Sequence, residues 1–570
     1  MKNIKNLSAS TLVLLLLGQV AFAYEVQTHE TLSEAALNGS VLKTDSSVLA
    51  RLGLEPLDRQ QKFPGSDGQQ EIVNLFKIGA NLEDTSIRAI NHFYDPITDN
   101  GVAFTSPTWT LEDKGSIPRQ NYSFRDTRDY FYKALTQPSK TDREQYFGLT
   151  FEALGHVIHH VQDMAQPQHT RLDNHLNLGW TQQELPIENR SRYEEYSNDV
   201  RSNLPITGYS PVKFSRLRDF WKTGTGAGMG EFSNRNFVTD GTNFTLRNGQ
   251  AVAGTRYALP APNGTSEEKA LVDILAEKGQ PLPSTLQTRC AARSACLLTF
   301  YASTVRDVYT QSTSVNPRAS TLSIFDQDLK MYGRTIVYLD PDSLNFDSAN
   351  TYTIDRLFVL NRFNFDEAHK FLIPRAVAYS TGLINYFFRG KMDWVADSAN
   401  SAMHAIKNLG EERMNGTFEI YYDAVDGKRY LIKSWLLDIN PGMEVGGLNF
   451  ERSANPAPKN PGEYMLVFNG DMGEEKKDSD LRGAVVAKFI EQKTGMLISV
   501  CRPGCSGTTF DIYRSDDLSA TCAICQHDQR WQSTQSWKTD TYKRQRGTER
   551  DEYQPGWRAE LAPTGYANDI

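Results

Sequence analysis

Leu154-Gly155-His156-Val157-Ile158-His159-His160-Val161-Gln162-Asp163-Met164-Ala165-Gln166-Pro167-Gln168-His169 sets four histidines and an aspartate within fourteen positions. On a helix His159 and Asp163 are four residues apart, so both project from one face about a turn from each other, as two ligands of one metal ion do. Pro167 ends that helix and sends His169 off at a new angle. A single zinc ion takes three or four ligands, and this run offers up to five candidates, enough for more than one ion. A structural reading stands beside it: Leu154, Val157, Ile158 and Val161 form a buried stripe, with His156 and His160 hydrogen-bonding around it. The clustering favours metal, because seven of the ten histidines (His29, His92, His156, His159, His160, His169, His175) lie in the first third of the chain.

Outward from this run, 570 residues are long for one core, and two domains are expected. The 11% aromatic and 23% charged residues are those of an ordinary globular protein. A formal net charge of -8 leaves no general basic surface for a polyanion, although bound zinc would add positive charge that this count omits. Residues 1–23 read as a secretory signal, with Lys2 and Lys5, the apolar Leu12 to Leu17, and Ala21-Phe22-Ala23 as a cleavage site. The mature chain is then expected to begin at Tyr24 and to be secreted or periplasmic. No later stretch is long and uncharged enough to span a bilayer.

Export makes the six cysteines expected disulfides. The near neighbours Cys290/Cys296, Cys501/Cys505 and Cys522/Cys525 are the simplest of fifteen possible pairings. A rival reading makes Cys501, Cys505, Cys522 and Cys525 a structural zinc site.

From Glu30 to about Leu204 the texture is helical. Between about 205 and 283 it turns to Gly, Asn, Thr and Pro, which reads as a loop insertion. Helical patterning resumes from about Ser284 to Gln311 and again up to Phe388, where Pro374 suits the first turn of a helix whose buried face carries Val377, Ile384 and Phe388. After about Asn408 the period shortens toward two, as in Thr417 to Tyr422 and Tyr464 to Phe468. The expected fold is a mostly α domain over 24–395, with an insertion at about 205–283, followed by a smaller β-rich C-terminal domain over 410–570.

Upstream of the central run stand Thr28-His29-Glu30-Thr31, Gly79-Ala80-Asn81-Leu82-Glu83-Asp84 and Asn91-His92-Phe93-Tyr94-Asp95-Pro96. With His159-x3-Asp163-x2-Gln166-Pro167-x-His169, they resemble the zinc-dependent phospholipase C and single-strand-specific zinc nuclease superfamily over roughly residues 24 to 200. That resemblance implies a helical domain whose cleft holds up to three zinc ions. It assigns His29, Asp163 and the freed terminus of Tyr24 to one ion, and His92, His159 and Asp163 to the second, with Asp84 near the shared water as the catalytic carboxylate. His169 and Glu194 belong to the third. Glu83, beside Asp84, could serve in its place.

The chain departs from the pattern twice. It would begin with Tyr24 where the family usually has tryptophan, a tolerable change because backbone atoms ligate. Arg190 stands where a histidine of the third site is expected, and a guanidinium cannot ligate zinc. Either His175 replaces that ligand, or the third site is weak and Arg190 binds substrate phosphate.

Neutral imidazoles and carboxylates suit zinc, and a pair of ions can share a hydroxide that attacks a phosphodiester. The expected activity is therefore that of a secreted zinc-dependent phosphodiesterase acting on phospholipid at a membrane surface, that is, a phospholipase C. A nuclease of single-stranded nucleic acid is the alternative, and an exported binding protein with structural zinc a third. The sequence points to no protein partner. Histidine ligands predict zinc loss below about pH 6.

Overall fold

The structure, a computed structural model, describes residues 26–111, 120–173, 192–239, 262–277, 281–282, 287–288, 290, 292–295, 297–322, 362–399, 403–448, 458–477, 483–492, 498–501 and 558–561. It is helical in its N-terminal part and β-rich in its C-terminal part. The helices that position the site are α1 (Val26–Gly39), α2 (Ile72–Glu83), α3 (Ser106–Leu111), α4 (Phe124–Thr136), α5 (Lys140–Asp163), α6 (Arg192–Asp199), α7 (Met229–Asn236) and α8 (Arg362–Phe387), with an antiparallel hairpin of β1 (Lys62–Gly65) and β2 (Gly68–Glu71) just before α2. Tyr24, His175, Arg190, Cys296, Cys505, Cys522 and Cys525 lie outside the described residues.

The central helix is α5. Ser139 caps it by accepting from the Asp142 amide, which satisfies one of the open N-terminal donors. Its second half has no solvent face: from Gly148 to Asp163 every residue but Leu149 is buried, and His156, His159 and His160 are as buried as Leu154 or Val161. The apolar stripe read from the sequence is therefore half of a helix covered all round, by α1, α2, α4 and α8.

Glycine sets how closely α2 and α5 approach. A Cβ on Gly79 would fall 1.9 Å from the carbonyl oxygen of Glu152, and one on Gly155 would fall 2.3 Å from that of Phe76. Only two bare backbones fit there.

Two sequence expectations are corrected here. Part of the segment expected to be helical from Ser284 to Gln311 is β4 (Leu297–Asp307), between β3 (Pro262–Ala270) and β5 (Ser312–Leu322) in an antiparallel sheet. Thr299, Phe300, Tyr301, Thr304 and Val305 are β-branched or aromatic and suit a pleated surface better than a helix. Pro374 is not at the start of its helix but inside α8, which begins at Arg362. Phe365, Ala368 and Leu372 carry the buried face upstream of the proline, and burial there outweighs the lost hydrogen bond. Val377, Ile384 and Phe388 are buried as expected. Within 205–283, the described residues include a 3-10 helix at Leu217–Phe220, α7, β3 and a short helix at Leu271–Glu277 rather than loop alone.

After α8 come β6 (Met392–Ala396), β7 (His404–Asn408), β8 (Met414–Ala424), β9 (Arg429–Ile439), β10 (Glu444–Leu448), β11 (Pro458–Met472) and β12 (Ala484–Gln492). β7 pairs antiparallel with both β6 and β10. The chain divides into two compact units, the first Met1–Glu419, Ser434–Asn449 and Val467–Lys488, the second Ile420–Lys433, Phe450–Leu466 and Phe489–Ile570. In the first unit, the fully buried Arg128 of α4 donates to both oxygens of Glu475 and to the Phe387 carbonyl. The second unit has its own small core of Tyr422, Ala424 and Tyr464, flanked by Tyr430, Ile432 and Ile490. Among the described residues no helix is long and apolar enough to cross a membrane.

Candidate metal centre

α5 ends at Asp163, and Gln166 adopts the extended conformation that a residue before proline prefers. Pro167 opens the short helix Pro167–Thr170, which turns His169 back toward the end of α5. α1 contributes His29. Asp84 is the residue that terminates α2, and His92 follows the 3-10 helix Ser86–Asn91. His29, Asp84, His92, His159, Asp163 and His169 are all fully buried.

Asp163 is the centre of the group. Its Oδ1 lies 3.3 Å from His29 Nε2 and 3.5 Å from His169 Nδ1. Its Oδ2 lies 2.9 Å from His92 Nδ1 and 3.1 Å from His159 Nε2. Asp84 Oδ1 stands 3.5 Å from each of these last two nitrogens, and Asp84 Oδ2 is 3.9 Å from His29 Nε2. Beyond His169, its Nε2 is 3.4 Å from Glu194 Oε1 on α6. His29, His159 and Asp163 form one group close enough to hold a metal ion, and Asp84, His92 and His159 form another.

The proton positions say what these groups need. His159 Nδ1 lies 2.7 Å from the Ala80 carbonyl oxygen, which can only accept, so the proton is on Nδ1 and the Nε2 lone pair faces inward. His29 Nδ1 lies 2.7 Å from Gln162 Oε1, and the Gln162 amide nitrogen donates to Ser33 Oγ, so His29 is fixed in the same tautomer. Two imidazole lone pairs thus point at carboxylate oxygens. Like poles at such distances repel, and a cation among them turns the repulsion into ligation. A carbonyl or amide oxygen behind each histidine is the usual outer support of a metal-bound imidazole.

Charge agrees with this reading. Burial, reinforced by His29, holds His159 well below the ordinary histidine range, and burial also lowers His92. Both stay neutral, as ligands must.

Glu83 does something else. Its Oε1 accepts from His160 Nε2 at 2.9 Å and Trp109 Nε1 at 2.7 Å; its Oε2 accepts from His156 Nδ1 at 2.5 Å and from Arg88 Nε and Nη2 at 2.8 and 2.6 Å. Glu83, His92 and His160 are also near enough to hold an ion. Both oxygens of Glu83 already receive N–H groups, however, and the Arg88 guanidinium supplies the positive charge. Of the two adjacent acids that the sequence left open, Asp84 faces the histidine group and Glu83 does not. Gln162, Ala80, Arg88 and Trp109 were not singled out from the sequence. A glutamine one residue before Asp163 is the only signal among them, since that position turns toward a neighbouring helix.

No family model and no curated protein matches this sequence. Among solved structures, the chain is similar to the crystal structure of Clostridium perfringens alpha-toxin isolated from an avian strain. The sequence identity is 11% and the TM-score 0.23, over 80% of this chain and 89% of that one. At that TM-score the likeness carries nothing for function, which rests on the geometry of the histidine group.

Proposed function

We propose that this chain is a secreted zinc-dependent phosphodiester hydrolase, and within that class a phospholipase C. The observation that carries the metal is the pair His29 and His159, each with its proton held on Nδ1 and its Nε2 lone pair turned toward Asp163 and Asp84. His29 and Asp163, with the terminus of a chain beginning at Tyr24, would hold one ion. His92, His159 and Asp163 would hold a second, and His169 and Glu194 a third, completed by His175 or left weak beside a phosphate-binding Arg190. Bound zinc supplies Lewis acidity and a water acidic enough to attack near neutral pH.

The side chains do the rest. Asp84 would orient the attacking water and take its proton, with Oδ1 placed between His92 and His159. Ala80 and Gln162 hold the two imidazoles in the ligating tautomer, and the apolar packing of α5 excludes bulk water.

The stretch after His92 favours lipid over nucleic acid. Ile97, Val102 and Phe104 are 56%, 43% and 44% exposed, and the same stretch contains Asp95 and Asp99 but no lysine or arginine. Its start is tied to the centre by the Tyr94 amide donating to the His169 carbonyl, and its end by the Phe104 amide donating to Asn91. Asp95 is buried and Asp99 is ion-paired with Lys222, so what this stretch exposes is apolar, which suits acyl chains. Hydrolysis of phosphatidylcholine vesicles by the mature, zinc-loaded protein tests this. Zinc-dependent release of the phosphorylated headgroup is the expected result. Cleavage of single-stranded nucleic acid without headgroup release would replace the lipid reading by the nuclease one, and neither activity in a zinc-replete protein would leave a structural zinc site.

A further inference from the structure

The buried carboxylate of Glu83 gathers five N–H contacts from four side chains on three other elements. Glu83 itself closes α2, Arg88 lies on the 3-10 helix Ser86–Asn91, Trp109 on α3, and His156 and His160 on α5. Three of these elements carry a candidate ligand close by in the chain. Asp84 is the next residue after Glu83. His92 lies four positions after Arg88, and His159 lies between His156 and His160. One side chain therefore sets the relative register of the pieces that present Asp84, His92 and His159.

Most of the contacts around it are closed as well; of the ring nitrogens there, His156 Nε2 alone has no hydrogen-bond partner among the described residues. With His160 Nε2–H donated to Glu83, its Nδ1 accepts from Ser106 Oγ at 3.1 Å, and Ser106 accepts from Trp221 Nε1 at 3.1 Å. His160 then stands edge-on to His92, with ring centres 5.0 Å apart and planes at 82°. His156 stacks on Tyr122 at 4.1 Å and 5°, and the Arg88 guanidinium lies over the Trp109 and Tyr122 rings. Both histidines of this set turn an N–H toward the carboxylate, whereas His29 and His159 turn a lone pair toward Asp163.

We infer that Glu83 is a positioning residue for the metal centre: it holds no ion, but fixes Asp84, His92 and His159 at the spacing that binds one. The inference rests on the zinc reading of the Asp163 group. A purely structural role would lower thermal stability and leave the zinc affinity of the folded protein unchanged. A positioning role moves the affinity itself, by about the 10- to 100-fold typical of outer-sphere partners of a metal site.

The experiment is zinc affinity by chelator competition on the folded full chain, with the visible spectrum of the cobalt-loaded protein as a second readout. Glu83→Gln is expected to bind zinc about 10- to 100-fold more weakly and to shift the cobalt bands. Asp307→Asn, which removes a buried carboxylate paired with Arg375, is the control and should lose stability with zinc affinity intact. If Glu83→Gln does not fold, Trp109→Phe removes one donor to Oε1 and should weaken zinc several-fold. Wild-type affinity and an unshifted spectrum in folded Glu83→Gln, or unchanged zinc affinity in Trp109→Phe, would overturn the inference. Absence of zinc binding by the wild-type chain would remove the functional reading, and this inference with it.

Discussion

Asp163 and Glu83 are both fully buried carboxylates ringed by histidines, and both depend on α5. Asp163 meets His29, His92, His159 and His169, and two of those rings have their protons drawn away to outside acceptors. Glu83 meets His156, His160, Arg88 and Trp109, each turned so that an N–H points at it. Both carboxylates meet buried histidines, but His29 and His159 turn their protons away from Asp163 while His156 and His160 turn theirs toward Glu83. Where donors point inward, the protein has completed the charge itself. Where lone pairs point inward, it leaves that charge to be supplied by something else.

Asp163→Asn should break the contrast most severely. The amide keeps the volume but loses the negative charge shared by both proposed ions. Activity is expected to fall on the order of a thousand-fold or more, with stoichiometric zinc lost. Circular dichroism should show the helices intact, because the Glu83 contacts persist. Full activity in a folded Asp163→Asn variant would show that Asp163 is not a ligand.

Next in size is Gly79→Ala, which acts on both carboxylates at once. The added methyl meets the Glu152 backbone, which cannot rotate away, so α2 must shift along α5. A loss near the upper end of the usual ~1–3 kcal/mol for overpacking is expected in chemical denaturation, together with weaker zinc binding. Lower stability with unchanged zinc affinity would show that the separation of α2 and α5 does not set the spacing of the ligands.

Chelation probes the same contrast without mutation. If zinc completes only the Asp163 group, its removal costs the linkage energy, about 2.7 kcal/mol at a zinc concentration 100 times Kd, and leaves a folded apo protein. Collapse of the helical signal on adding chelator would mean that the Glu83 contacts cannot hold the domain together.

The sequence made the Asp163 group legible because His159 and Asp163 are four apart and Pro167 forces the chain to turn before His169. Those are local rules. It left Glu83 and Asp84 open because adjacent residues at the end of a helix diverge according to tertiary packing, and the partners of Glu83 come from positions 88, 109, 156 and 160. The misread Leu297–Asp307 strand and the upstream half of α8 have the same cause. A short run containing Phe, Tyr, Thr and Val is compatible with either period until its neighbours are known, and a proline marks a helix start only where no packing carries the helix past it.

Acid should separate the two carboxylates, with the smallest effect but a definite order. His92 and His159 are held below their ordinary values, chiefly by burial, so their neutral forms favour folding and zinc binding. A group depressed in the folded state contributes stability that is present above its unfolded value, about 6.5 for histidine, and is lost as pH falls through the folded value. Glu83 is also depressed: burial would raise it, but Arg88, His160 and His156 outweigh burial. Its contribution is present above the unfolded value of about 4.3 and is lost only in stronger acid. Zinc release, followed with a chelating dye, should therefore precede loss of helical signal as pH falls, with a folded, zinc-poor protein between the two. A single coincident transition would mean that the metal group and the Glu83 group stand or fall together.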